Sequence, residues 1–307
     1  MRGVLYSIVS ARLCGPVPPP FPPSYNFLCW PVNPRVATWP PVPAHALLER
    51  EKARLSQDIH GILDGWEFEP EGLQVRIIVG DDGNERIQMR IDLGLIQMEM
   101  DGRPDGQRPD GFPALLDSYE AKARDALTSG APFSLTADDC ALLMREGLQY
   151  YHRYLSAFHL ERYDLVERDT ERNLRLFSFV ARHAARQRDK LDFEQYRPYV
   201  QMMHTRARAT QALKKGEHRG ALKRIDEGIK AIRKFLAEYQ QQEKEEDCSE
   251  LRFLLRWRRE VERERPLGAL ERLEHQLELS VELEDYEQAA RIRDQIRLLQ
   301  ESTRERN

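Results

Sequence analysis

After Ala114 the chain carries no strand signal: its apolar residues recur only at steps of three or four, which commits nearly two thirds of the sequence to helices packed on helices. Leu115 to Leu127 reads as one helix and Pro132 breaks the chain after it. From Thr136 helix follows helix, with Thr136 placed to cap the first and Asp139 three residues on to complete the cap. Pro198 separates a helix near Asp189–Tyr196 from one over Val200–Lys214, because proline opens a helix but cannot sit in its interior. The polar, acidic run AEYQQQEKEEDCS from Ala237 to Ser249 reads as a surface connection, and Glu250–Glu264 as a further helix carrying Leu251, Leu254, Leu255 and Trp257.

The segment before this helical part reads differently. Leu73–Val79 alternates around Val75, Ile77 and Val79; Asp81-Asp82-Gly83-Asn84 supplies a turn; Arg86–Ile91 alternates through Ile87, Met89 and Ile91; and Leu95–Met100 completes a three-stranded antiparallel meander. Ala44–Gly65 has the apolar stripe of a helix. The loop DGRPDGQRPDG from Asp101 to Gly111 lacks the alternating oxygen ligands and terminal glutamate of a calcium loop, and reads as a turn-rich surface loop. Upstream, Gly15–Pro43 is so rich in proline that no helix or central strand fits, so the start reads as disordered or as a mis-called translation start. The expected organisation is therefore 1–43 proline-rich, 44–113 a small α+β unit, 114–249 a helical region, and 250–307 a helix plus a terminal hairpin. The fold class is mainly α with a small antiparallel β unit.

The hairpin lies in PLGALERLEHQLELSVELEDYEQAARIRDQIRLLQ. Leu270, Leu273, Leu277 and Val281 share one helical face; Asp285 can cap a second helix, with Gln288 placed to reach back. That second helix carries Ala289, Ile292, Ile296 and Leu299 on its apolar face, and the small Ala289 and Ala290 admit a close neighbour. Tyr286, the double alanine, and the Arg293–Asp294 pair at fixed offsets resemble the UVR motif of the excision-repair proteins UvrB and UvrC, found also in some Clp ATPases and in activators of bacterial protein-arginine kinases. The whole chain resembles uncharacterised bacterial proteins ending in such a motif. The resemblance implies a helical hairpin that pairs with another, with Tyr286, Ala289, Ala290 and Ile296 in the pairing seam. The expected partner-binding set is Leu273, Leu277, Val281, Tyr286, Ala289, Ala290, Ile292, Arg293 and Ile296, with Ala289→Glu as the variant that abolishes pairing. Ala212–Ile229 also resembles part of a tetratricopeptide repeat. The bends near Tyr163 and His218 are 55 residues apart, however, against the ~34 of a regular array.

Chemistry is harder to find. The chain has no phosphate loop, no dinucleotide-binding glycine pattern, no HExxH and no nucleophile elbow. Cys14, Cys29, Cys140 and Cys248 lie far apart with no CxxC pair, which fits a reducing cytoplasm and argues against a zinc ribbon. No catalytic residue, cofactor or metal site is expected, and with no apolar run of ~18 residues no membrane span either. At a net charge of -4 the chain has no global attraction for polyanions. Lys214, Lys215, Arg219, Lys223 and Arg224 form a locally basic stretch, a candidate nucleic-acid patch. No aromatics are interleaved for base stacking, so the stretch is equally suited to acidic protein surfaces. The expected function is a non-enzymatic protein–protein interaction, by self-pairing or with another hairpin-bearing protein. The alternative is a DNA-binding repair accessory or a regulatory subunit of an ATPase or kinase.

Overall fold

The computed structural model of the chain describes residues 58–239, 243, 245–265 and 269–304, so the proline-rich start and most of the helix expected over 44–65 lie outside the described residues. A short helix α1 (His60–Leu63) precedes β1 (Val75–Val79), β2 (Glu85–Ile91) and β3 (Gly94–Glu99), which pair antiparallel in the order β1-β2-β3. Alternation along β2 and β3 buries Ile87, Met89 and Met98 on the inner face. The outer face is a polar ladder set by register: Arg76 lies opposite Gln88, which lies opposite Gln97. Arg76 Nε donates to Gln88 Oε1 at 2.9 Å and Gln88 Nε2 to Gln97 Oε1 at 2.9 Å. The expected meander is therefore present, and the chain is mainly helical beyond it.

The helices that follow are α2 (Leu115–Ser129), α3 (Ala137–His159), α4 (Tyr163–His183), α5 (Gln187–Glu194), α6 (Arg197–Lys214), α7 (His218–Glu238), α8 (Ser249–Glu264), α9 (Ala269–Glu282) and α10 (Tyr286–Arg304). Thr136 and Asp139 form a reciprocal capping box at the start of α3, and Pro198 sits in the first turn of α6. Successive helices stack, α3 on α4, α4 on α6, α6 on α7 and α7 on α8, while α3 also meets β2. One continuous core runs from Ile87 and Met98 of the sheet, through Leu143, Leu176 and Met203, to Leu254 and Trp257 of α8. The α6–α7 approach depends on Gly228, because a Cβ there would stand 2.2 Å from Thr205 Oγ1.

A single connection recurs between the antiparallel helix pairs α3/α4, α6/α7 and α9/α10. Each ends its first helix with one residue in the left-handed region: Glu161 at φ 57°, Gly216 at φ 77° and Glu284 at φ 58°. The next amide then closes a six-residue ring: Arg162 N–H onto Ala157 O at 2.8 Å, Glu217 N–H onto Ala212 O at 2.9 Å, and Asp285 N–H onto Ser280 O at 2.8 Å. This is the Schellman arrangement, which satisfies carbonyls that the helix leaves orphaned. The acceptor residues Ala157, Ala212 and Ser280 are all small and all buried, and Val166, Ala221 and Ala289 at the start of the following helices are buried as well.

Buried ion pairs join α3 to α4, and the same side chains fasten the sheet and its following loop by hydrogen bonds to backbone carbonyls. Arg153 on α3, fully buried, donates Nε to Asp169 Oδ2 of α4 at 2.6 Å and Nη2 to Asp169 Oδ1 at 2.9 Å. Its remaining donors reach Glu99 O at 2.8 Å and Gly102 O at 2.9 Å. Glu146, two turns earlier on the same face of α3, accepts from the Leu115 and Leu116 amides at 2.6 and 3.1 Å and from Arg172 of α4. The 101–111 loop, expected as a plain surface loop, is in fact anchored: Pro104 is buried and the Gly102 carbonyl also accepts from Tyr150 Oη at 3.3 Å.

Three outcomes follow from this packing. Left-handed backbone costs a non-glycine residue about 1 kcal/mol or more, so Glu161→Gly is expected to raise the urea midpoint and Gly216→Ala to lower it, each by an amount worth about 1 kcal/mol. Arg153→Ala leaves the buried Asp169 carboxylate with Arg168, whose Nε lies 3.1 Å from Oδ1, as its remaining cation, and is expected to cost about 3 kcal/mol in equilibrium unfolding; pairing it with Asp169→Leu should recover part of that loss, which a double-mutant cycle reads directly. His152, largely enclosed on α3, is held near pKa 4 by desolvation of its charged form. Its folded value lies below the unfolded one, so its contribution is intact above about pH 6.5 and is lost as pH falls toward 4; His152→Phe should flatten the unfolding free energy across that window.

Candidate interaction site

The terminal hairpin is built from α9 and α10, which pack chiefly on each other. Asp285 caps α10 by accepting from the Gln288 amide at 3.0 Å. The expected return contact from the Gln288 side chain is replaced, since the Asp285 amide is already committed to Ser280 O at 2.8 Å. Ala289 and Ile292 are buried at 7% and 4% exposure, with Leu273, Leu277 and Ile296 half-buried around them. None of these belongs to the main core, so the hairpin closes a small apolar seam of its own.

The seam's position on α9 differs from the apolar spacing by one residue. Ser280 is buried, its hydroxyl donating to Gln276 O at 2.9 Å, whereas Val281 is half exposed. The Schellman ring fixes this: the residue whose carbonyl accepts from Asp285 must face the second helix, and that residue is Ser280. Ala289→Glu is consequently a poor probe of pairing between hairpins, because a charge there opens the seam within one hairpin first.

Of the residues expected at a partner surface, Tyr286, Ala290, Arg293 and Val281 are exposed, and Tyr286 is 68% accessible. Tyr286, Ala290 and Arg293 fall within about 60° of one another around α10 at 3.6 residues per turn, beside the closed seam and outside it. Around the turn Leu279 and Leu283 are also exposed, Leu283 at 79%, and Leu298 is exposed further along α10. On the solvent side Arg291 pairs with Glu287 one turn earlier.

The basic stretch is divided by the fold. Lys214 Nζ pairs with Glu161 Oε2 at 2.7 Å, beside the α3/α4 turn. Arg224 is half-buried, with its Nε enclosed and without a hydrogen-bond partner, while Lys215 is exposed. Arg219 and Lys223 instead line an open groove between α7 and α8 together with Lys230, Arg258 and Arg265. Among the described residues no three His, Cys, Asp or Glu side chains converge as metal ligands would, and no helix is long and apolar enough to cross a membrane.

Compared with known proteins, the chain as a whole matches no curated protein and no solved structure. Residues 269–302, the span of α9 and nearly all of α10, match the UVR family, described as the UvrB/uvrC motif.

Proposed function

We propose that this protein acts by docking, without catalysis of its own, and that the α9/α10 hairpin is its docking element, pairing with a like hairpin on a second copy or on another protein. The observation that carries this reading is the division of labour on α10. Ala289 and Ile292 close the hairpin's own seam, and Tyr286, Ala290 and Arg293 then remain exposed in one stripe beside it. An aromatic ring and a guanidinium flanking a small residue give a partner helix a close approach with anchors on either side, the combination that dominates interface energetics. The match to the UVR family over this segment supports it. The process served, excision repair or control of an ATPase or kinase, then depends on which protein carries the second hairpin.

The test is sedimentation of the full chain across concentration, beside Tyr286→Asp and Ala290→Glu. Both positions lie outside the seam, so helicity should hold while the dimer dissociation constant rises by about 30-fold or more, the scale of a central interface residue. Unchanged association in both variants overturns the assignment of this stripe. A wild-type chain that is monomeric throughout excludes self-pairing, and the pairing hairpin then belongs to another protein.

A further inference from the structure

The α7/α8 groove is an open channel of about 570 Å³ floored by Leu222. Its carboxylates are already engaged. Asp226 holds Arg258 at 2.6 Å, Glu262 holds Arg265 at 3.4 Å, and Glu227 holds Arg208 of α6 at 3.5 Å. Three of its cations are not: Arg219, Lys223 and Lys230 make no ion pair with any described residue. They stand at helical positions four and seven apart on one face of α7, and so form a row about 16 Å long at 1.5 Å per residue. A row of unpaired cations along a groove with neutralised walls and an apolar floor fits an elongated, acidic, amphipathic partner better than a compact anion.

The same chain carries such an element. Glu274, Glu278 and Glu282 are exposed on α9 and fall within about 80° of one another, a carboxylate row about 12 Å long. In this structure they do not line the chain's own groove. We propose that the α7/α8 groove receives the acidic row of α9 from a second copy of the chain. This rests on the hairpin being a docking element, but it uses the carboxylates of α9 where the reading above uses the Tyr286 stripe of α10. Charges of this kind fix partner and register more than they add strength, and their contribution weakens as salt shortens the screening length.

The experiment is a charge exchange on the full-length protein, read by sedimentation at low and high salt. One chain carries Arg219→Glu, Lys223→Glu and Lys230→Glu; the other carries Glu274→Lys, Glu278→Lys and Glu282→Lys. Each alone places like charges opposite one another and should self-associate at least about tenfold more weakly than wild type, several exposed pairs being lost together. Mixed in equal amounts they face opposite charges at both contacts, and association should return. Loss without recovery on mixing overturns the proposal, because it marks damage and not a broken contact. Wild-type-like association of the groove variant overturns it too, as does a monomeric wild-type chain. Addition of a short DNA duplex at low salt covers the competing occupant: binding abolished by the groove reversal, with self-association untouched, assigns the groove to phosphates. Where the wild-type chain self-associates, Tyr286→Asp is read separately from the charge exchange, so failure of the groove and failure of the hairpin stripe are told apart; a monomeric wild-type chain overturns the groove contact alone and leaves the hairpin to pair with another protein.

Discussion

A guanidinium with no access to water must have every donor met by protein, and at Arg153 that requirement organises the junction between sheet and helices. Its acceptors come from the α4 carboxylate of Asp169, the last residue of β3 and the loop that follows. Removing any one leaves a buried charge with an unmet hydrogen bond, so strand, loop and two helices hold a single relative arrangement or none. Glu146 extends the constraint to α2 by capping its first amides. Apolar packing of Ile87 and Met98 against the helices supplies attraction but little direction. The ionic junction supplies the direction, at a desolvation cost that a purely apolar contact would avoid.

Among the described residues, the hairpin helices α9 and α10 pack chiefly on each other. Ala289 and Ile292, its buried apolar residues, lie apart from the main core. A body from the sheet to α8 is locked by both burial and ion pairs, and the hairpin beyond it is closed by only a few apolar contacts of its own.

Elements with a periodic or capped signature were readable from the residues alone. The strands show because Val75, Ile77, Ile87 and Met89 alternate, and the helix starts because Thr136, Asp139 and Pro198 act locally. The buried ion pairs were not readable as pairs, since Arg153 meets Asp169 only through the crossing of α3 on α4. A trace of them exists: Glu146 and Arg153 fall on the same stripe as Leu143, Tyr150 and Ala157, and a charge on an apolar stripe calls for a partner. The one-residue difference between Val281 and Ser280 has the same kind of origin. Apolar spacing favours valine, but the turn geometry at Glu284 decides which residue faces inward. Gly216 announces a left-handed turn; Glu161 and Glu284 adopt the same conformation against their preference, and only the shared ring of hydrogen bonds reveals it.

That shared turn bears on how the hairpin behaves. In α3/α4 and α6/α7 the left-handed residue is itself exposed, but the helices it joins are held in place by further partners, α4 and α6 packing on each other and α7 on α8. In α9/α10 the same conformation at Glu284 belongs to a helix pair that packs chiefly on itself, next to the exposed Leu283 and Tyr286. A pair of helices this short buries too little to be firmly stable in isolation. Anything that binds the closed hairpin and not the open one therefore stabilises it by mass action.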